Sequence, residues 1–205
     1  ELAPGDLPFV GADIWNAYEL SWLDAKGKPC VAMATFSVPA DSPNIIESKS
    51  LKLYLNSFNQ TRLANPAELS NRLKSDLSAA VGADVGLDVI LPGRFSEVRV
   101  RELDGLCIDD LDIEVETYQP APGMLSTRPG EAVEETLCSQ LLKSNCPVTG
   151  QPDWASVQVR YRGAPLDHTA LLRYLCSFRE HAGFHEHCVE RIFCDITAAC
   201  RPEKL

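Results

Sequence analysis

The sequence predicts an α+β fold built from two tandem modules, and three observations carry that expectation. Leu51, Tyr54, Leu55, Ser57 and Phe58 recur as Leu171, Tyr174, Leu175, Ser177 and Phe178, each 120 positions further on. The i, i+3, i+4, i+7 spacing of the apolar members makes both copies amphipathic helices. Upstream, Gly27-Lys28-Pro29-Cys30-Val31-Ala32 is echoed by Gly150-Gln151-Pro152-Asp153-Trp154-Ala155. Alternating runs at 31–38 and 155–161 follow these echoes and read as strands.

In the first module, strands near 14–24 and 29–38 lead into a helix at about 48–59. Asn65, Pro66 and Glu68 supply a cap, a first-turn proline and a capping-box acid for a second helix. That helix carries Leu69, Leu73 and Leu77 until Gly82 stops it. Runs at 85–91, 96–103 and 111–117 read as closing strands. The first module is therefore expected over 1–118, a Pro- and Gly-rich linker over 119–130 and the second module over 131–205. Residues 131–143 have helical propensity, but the repeat matches Ser139-Gln140-Leu141-Leu142 with Ser21-Trp22-Leu23, and strand is the expectation. A strand at 154–162 and helices at 168–180 and 185–200 follow, the last with Val189, Ile192, Phe193 and Ile196 on one face. The second module is expected without closing strands, since the sequence stops at Leu205.

The chain has 205 residues, 45% of them hydrophobic, and a formal net charge of −10. No segment approaches the roughly 18 consecutive apolar residues of a membrane helix. The acidic balance argues against binding a nucleic-acid backbone. Eight cysteines without a C-x-x-C pair read as reduced thiols rather than a disulfide framework. No basic-then-apolar leader is visible, and a cytoplasmic location is expected.

Three clusters can carry chemistry. Cys146 and Asp153 flank a turn-rich stretch between two strands, so a hairpin would let thiol and carboxylate meet. A carboxylate does not create a thiolate electrostatically, but it can accept the thiol proton at attack and return it later. The same pair also reads as a small apolar cysteine and a turn-forming aspartate. His185-Glu186-His187-Cys188, with His181 upstream, reads as a zinc site, as an acceptor for ligand N–H groups at Glu186, or as a solvated helix start. Glu47-Ser48-Lys49-Ser50-Leu51-Lys52 offers a helix start with Lys49 and Lys52, either a phosphate seat or an ordinary cap. There is no G-x-G-x-x-G or Walker loop. The alternating acids Asp109, Asp110, Asp112, Glu114 and Glu116 do not match a calcium loop and read as a solvated strand face.

Taken together, residues 47–62, Ser144-Asn145-Cys146-Pro147 with Gln151-Pro152-Asp153-Trp154, and Phe184-His185-Glu186 resemble the NADPH-dependent 7-cyano-7-deazaguanine reductase family, QueF, in its long two-module form. The resemblance implies tandem tunnelling-fold (T-fold) modules, each an antiparallel sheet backed by two helices. It implies that Cys146 attacks the nitrile carbon to form a covalent thioimide and that Asp153 shuttles protons, with His185 assisting. Glu47 and Glu186 match the positions that hold the deazaguanine base, with Ile46, Ser48 and His185 beside them. Ser48 and Lys49 match positions that meet NADPH, two molecules of which are consumed per nitrile; no metal is implied. Because Glu47 lies in one module and Cys146 and Glu186 in the other, both modules contribute to the implied pocket, within a chain or across a homodimer. The resemblance further implies that the substrate is a free base of the queuosine pathway, not transfer RNA. Two other readings remain at this point: a zinc-dependent cyclohydrolase or pterin-type T-fold enzyme using His181, His185 and Cys188, and a catalytically silent assembly module.

Overall fold

The computed structural model describes residues 7–205, and the chain divides into two compact units, one ending at Val100 and the other spanning Arg101–Leu205. Residues 1–6, part of the expected first module, lie outside the described residues.

In the first unit, β1 (Ala12–Leu23) and β2 (Pro29–Pro39) form an antiparallel hairpin whose last pair is Leu23 with Pro29. The tight turn suits its residues: Asp24 Oδ1 accepts from the Lys26 and Lys28 N–H groups, and Gly27 takes φ +86°. β3 (Gly86–Ile90) pairs with the other edge of β2, giving the order β1-β2-β3. α1 (Ser48–Asn56) and α2 (Pro66–Val81) cover one face. Asn65 caps α2 through the Glu68 N–H, Glu68 reaches back to the Ala64 N–H, and Gly82 ends the helix in the left-handed region. Leu20, Trp22, Ala32, Ala34 and Phe36 of the sheet pack with Leu51, Leu55, Leu69, Leu73 and Leu77 of the helices.

The second unit repeats this plan. β5 (Val133–Asn145) and β6 (Pro152–Gly163) form the hairpin, so the expected strand overrides the helical propensity of 131–143. α3 (His168–Cys176) continues into a 3-10 turn at Ser177–Glu180, and α4 runs His185–Cys200. Val157, Val159 and Tyr161 pack with Leu171, Leu175, Phe178, Ile192 and Ile196.

The correspondence extends to irregularities. Register shifts occur between Ala17 and Leu20 in β1 and between Ser139 and Leu142 in β5. Leu23 bridges Arg62 in parallel, as Asn145 bridges Ala182. Tyr54 donates to Asp76 at 2.7 Å and Tyr174 to Asp195 at 2.6 Å, and each tyrosine meets its phenylalanine edge-on at 5.4 Å. This register corrects the sequence match: Ser21-Trp22-Leu23 corresponds to Lys143-Ser144-Asn145 rather than to Ser139-Gln140-Leu141-Leu142.

The strands expected at 96–103 and 111–117 do not form. Pro92–Glu97 is a 3-10 turn. In 108–113, Ile108, Leu111 and Ile113 lie against the second unit's core while Asp112 and Glu114 face solvent, which explains the alternation without a ladder. A two-residue strand, β4 (Leu106–Cys107), pairs parallel with β5 and had no period-2 signal to announce it. The contact division at 100/101 differs from the expected one at 118 for this reason. The Pro- and Gly-rich 119–130 stretch also follows the second unit, with Leu125 in its core and the Arg128 N–H donating to Pro165 O.

Leu69, with 0% exposure, has no room to lose three heavy atoms. Leu69→Ala should cost about 2–5 kcal/mol of first-unit stability, read by urea denaturation. Asp167 caps α3 by accepting from the Thr169 hydroxyl and from the Ala170 and Thr169 N–H groups, which holds its carboxyl below the ordinary 3.8. Asp167→Ala should cost about 1 kcal/mol. Because the folded-state value is the lower one, that increment is complete above the ordinary value and fades as pH falls through the depressed value. An Asp167→Ala deficit that grows on acidification would contradict the cap.

Candidate active site

The β5–β6 register decides where the candidate nucleophile stands. The ladder runs to Asn145 opposite Pro152, beyond which the Cys146 N–H donates to Gln151 O and the Gly150 N–H to Cys146 O, both at 2.8 Å. Residues 147–149 form the turn, and Gly150 takes φ +67°. Asp153 lies directly opposite Ser144, and opposed residues in an antiparallel pair share a face of the sheet. Ser144 is fully buried, so Asp153 is turned to the helix side. Cys146, two residues past Ser144, falls on that side too. Both Cys146 and Asp153 are half-buried.

The environment acts on the thiol in opposite senses. The Thr149 hydroxyl, with the Thr149 and Val148 backbone N–H groups, holds Cys146 below the ordinary thiol value of 9.0 against burial and the Asp153 charge. A half-buried thiol with a depressed value and a neighbouring carboxylate can be a nucleophile with its proton acceptor.

A second wall comes from 181–183. The Asn145 N–H donates to His181 O at 2.8 Å and the Gly183 N–H to Asn145 O at 3.1 Å, which ties this segment to the end of β5. A Cβ at Gly183 would stand 2.8 Å from His181 Nε2, so a larger residue there would displace the imidazole. Burial, with the charge of Arg191, pushes the His181 imidazole below its ordinary value and favours its neutral form. α4 then starts with Phe184 at its N-cap, His185 first and Glu186 second. Glu186 is half-buried where the helix dipole favours a carboxylate. His185 Nε2 is buried without a hydrogen-bond partner, a polar atom left for a ligand. Cys188, 1% exposed, is pushed up by burial and lies within electrostatic reach of Ser144, Arg191, Glu186 and Asp153. Cys146, Asp153, His185 and Glu186 are thus gathered at one end of the second unit.

Ile46, Glu47, Ser48 and Lys49 belong to the first unit. Glu47 is the N-cap of α1: Oε1 accepts from the Lys49 N–H at 3.0 Å, and Oε2 from the Ser50 N–H at 2.7 Å and the Ser50 hydroxyl at 2.8 Å. These bonds hold its carboxyl below the ordinary 4.5. Two of the helix-start N–H groups expected for a phosphate, those of Lys49 and Ser50, are therefore taken by Glu47, which corrects that part of the reading. Ser48 and Lys49 remain exposed, and Ile46 packs against the first unit's core. Lys52, the other expected cation, lies 3.7 Å from Glu19.

Among the described residues, no three His, Cys, Asp or Glu side chains are placed to hold a metal ion, so the zinc reading of His181, His185 and Cys188 lacks a ligand set. His181 lies outside α4, which begins at His185. Ser144 and Thr149 were missed by sequence reasoning. A correctly registered repeat reveals Ser144: Trp22, Cys30 and Leu69 of the first unit stand where the second has Ser144, Asp153 and Cys188. The first unit fills this corner with Trp22 and Leu69 beside the small Cys30, and the second carries small and polar side chains there. Thr149 had no signal beyond its place in the turn.

The chain matches a family profile described as nitrile reductase, 7-cyano-7-deazaguanine-reductase N-term, over residues 1–89, and one described as QueF-like protein over residues 152–205. It is 70% identical over 199 residues to an NADPH-dependent 7-cyano-7-deazaguanine reductase of Bordetella pertussis, covering 97% of this chain and 73% of the relative. It is 66% identical to the Bordetella avium protein of that name, with 98% and 74% covered, and 60% identical to the Burkholderia pseudomallei one, with 97% and 73% covered.

All eight cysteines are free, and burial raises Cys138, Cys176, Cys188, Cys194 and Cys200. Substoichiometric iodoacetamide at neutral pH should therefore modify Cys146 before any of those five, as read by peptide mass mapping. Earlier labelling of Cys188 or Cys200 would contradict the environment described.

Proposed function

Because the chain belongs to the NADPH-dependent 7-cyano-7-deazaguanine reductase family, we propose that it reduces the nitrile of 7-cyano-7-deazaguanine to an aminomethyl group in queuosine biosynthesis. The observation that carries this reading is the juxtaposition of Cys146, its thiol held below the ordinary value, with Asp153 at the end of one hairpin.

Asp153 accepts the thiol proton as Cys146 Sγ bonds to the nitrile carbon. The proton passes to nitrogen and C≡N becomes the C=N of a thioimide, a better hydride acceptor than the nitrile. NADPH supplies one hydride to this carbon and, after the C–S bond breaks to release an imine and the thiolate, a second molecule supplies another. Two hydrides and two protons turn the nitrile into the neutral amine. Asp153 and His185 handle the protons at nitrogen. Glu186 accepts from the base's N–H groups at the α4 start, with His185 beside it, and Glu47, Ile46 and Ser48 complete base recognition. Each carboxylate oxygen has two lone pairs, so Glu47 Oε1, which accepts one bond within the cap, retains one for a ligand. Ser48 and Lys49, exposed and carrying a hydroxyl and an ammonium, suit a cofactor phosphate.

The free base, rather than RNA, is the substrate, in keeping with the net charge of −10. We further propose a cytoplasmic homodimer. No helix among the described residues is long and apolar enough to cross a membrane. Sedimentation equilibrium tests the dimer, which a monomer at micromolar concentration would exclude.

Incubation with 7-cyano-7-deazaguanine without NADPH should add the substrate mass to the intact protein, and Cys146→Ala should abolish the gain. Asp153→Asn should slow adduct formation by roughly 10²–10⁴-fold. A folded chain that gains no mass at saturating substrate would overturn the covalent reading.

A further inference from the structure

Two cysteines stand directly opposite each other away from the candidate site. In the parallel pair of β4 on β5, Cys107 is the register partner of Cys138. Register partners carry their side chains to one face of a sheet whose neighbouring strands lie about 4.7–4.9 Å apart. A disulfide needs Cα atoms roughly 4.4–6.8 Å apart, so the ladder spacing falls inside that window. The chain entering β4 is also held close over Cys138. Gln158, the register partner of Cys138 on β6, donates from Nε2 to Asp104 O at 2.7 Å. The Cys138 thiol is directed to Gly105 O at 3.9 Å. Gly105 takes φ +126°, and a Cβ there would stand 2.7 Å from Thr136 O, so its backbone lies against β5 where no side chain fits. The Ile108 N–H then donates to Cys138 O at 3.0 Å. Cys138 is buried by this crossing, while Cys107 is exposed. An accessible thiol beside a covered one is the arrangement that attack followed by resolution requires.

We propose that Cys107 and Cys138 are a redox-responsive pair, which a low-molecular-weight disulfide oxidises to a bond stapling β4 to β5. The Cys107 thiolate attacks one sulfur of the small disulfide, whose S–S bond breaks and releases one thiol. Cys138, on losing its proton, attacks Cys107 Sγ and releases the second thiol. The protein thiols give up two electrons, the small disulfide takes them, and both protons end on the released thiols. The exchange is independent of Cys146 and of the nitrile chemistry. Its product would fasten the segment that carries Ile108 into the core and Asp109 to the irregularity of β5, where Asp109 Oδ2 accepts from the Gln140 N–H at 2.9 Å.

The test uses the full chain, its Cys107→Ser and Cys138→Ala variants, and glutathione disulfide as the probe at about pH 8, near the ordinary thiol value. Remaining thiols are blocked with N-ethylmaleimide, and the chain is digested without reduction. Cleavage after Glu114, Glu135 and Lys143 places Cys107, Cys138 and Cys146 on separate peptides. In the parent, the Cys107 peptide should appear linked to the Cys138 peptide with the loss of two hydrogens. Cys138→Ala should instead hold glutathione on Cys107, persisting at least roughly tenfold longer than in the parent, because intramolecular resolution is lost. Cys107→Ser should show neither the link nor glutathione on the covered Cys138. The oxidised parent should unfold at a higher urea concentration than the reduced one, a shift absent from Cys107→Ser treated alike. A lasting glutathione adduct on Cys107 in the parent, or a link from Cys107 to any other cysteine, overturns the inference. A linked chain whose urea midpoint does not rise overturns the staple, since the bond would then not hold β4 in its native register.

Discussion

The antiparallel register of β5 on β6 is the constraint from which the candidate site follows. It places Ser144 opposite Asp153 and leaves Cys146 at the first position free of the ladder, where Thr149 and Val148 of the turn hold its thiol below the ordinary value. A slip of one residue would put Ser144 and Asp153 on opposite faces of the sheet, turning Asp153 outward if Ser144 stays in the core. Two features pin that register. The irregularity between Ser139 and Leu142 re-phases the strand, with Asp109 Oδ2 accepting from the Gln140 N–H at 2.9 Å. At the far end, 181–183 adds hydrogen bonds to Asn145. The latter segment also delivers the first turn of α4, so hairpin and helix are positioned by the same few bonds.

The first unit shows the same scaffold used differently. At the corresponding corner Trp22 and Leu69, 2% and 0% exposed, close the core. In the second unit Asp153 stays half in solvent, whereas Ser144 Oγ is buried without a hydrogen-bond partner, a polarity that this corner bears at a cost. Glu47 and Asp167 cap equivalent helices, yet Glu47 is the longer and more exposed, and it presents a carboxylate edge while still capping.

Much of this was legible in the amino-acid sequence. The helix at 185–200 was legible from Val189, Ile192, Phe193 and Ile196 on one face, and α4 has those bounds. The helix ending at Gly82 was read from its cap and its left-handed stop. Cys146 and Asp153 were paired through the turn residues between them. What failed had tertiary causes. Alternation at 111–117 came from a segment lying on a core, which has the period of a strand without its partners. The repeat was misregistered in β5 because the segments connecting the elements differ in length between the two copies, so no single offset carries from the helices back to the first strand. Glu47 was not recognised as a cap, since glutamate seldom occupies that position and nothing local shows that both its oxygens turn inward.

The near-identity of the two hairpin-and-helix plans has a bearing on how such a chain tolerates change. At the corner holding Trp22, Cys30 and Leu69, the demand is only that apolar volume be filled, a demand many combinations of side chains can meet. At Ser144, Asp153 and Cys188, volume, hydrogen-bonding capacity and charge must all be met together. A chain with both corners carries a restricted copy and a permissive copy of one architecture, so substitutions that drift harmlessly through the one should be purged from the other. Duplication thereby leaves one half able to adapt its shape while the other keeps its chemistry.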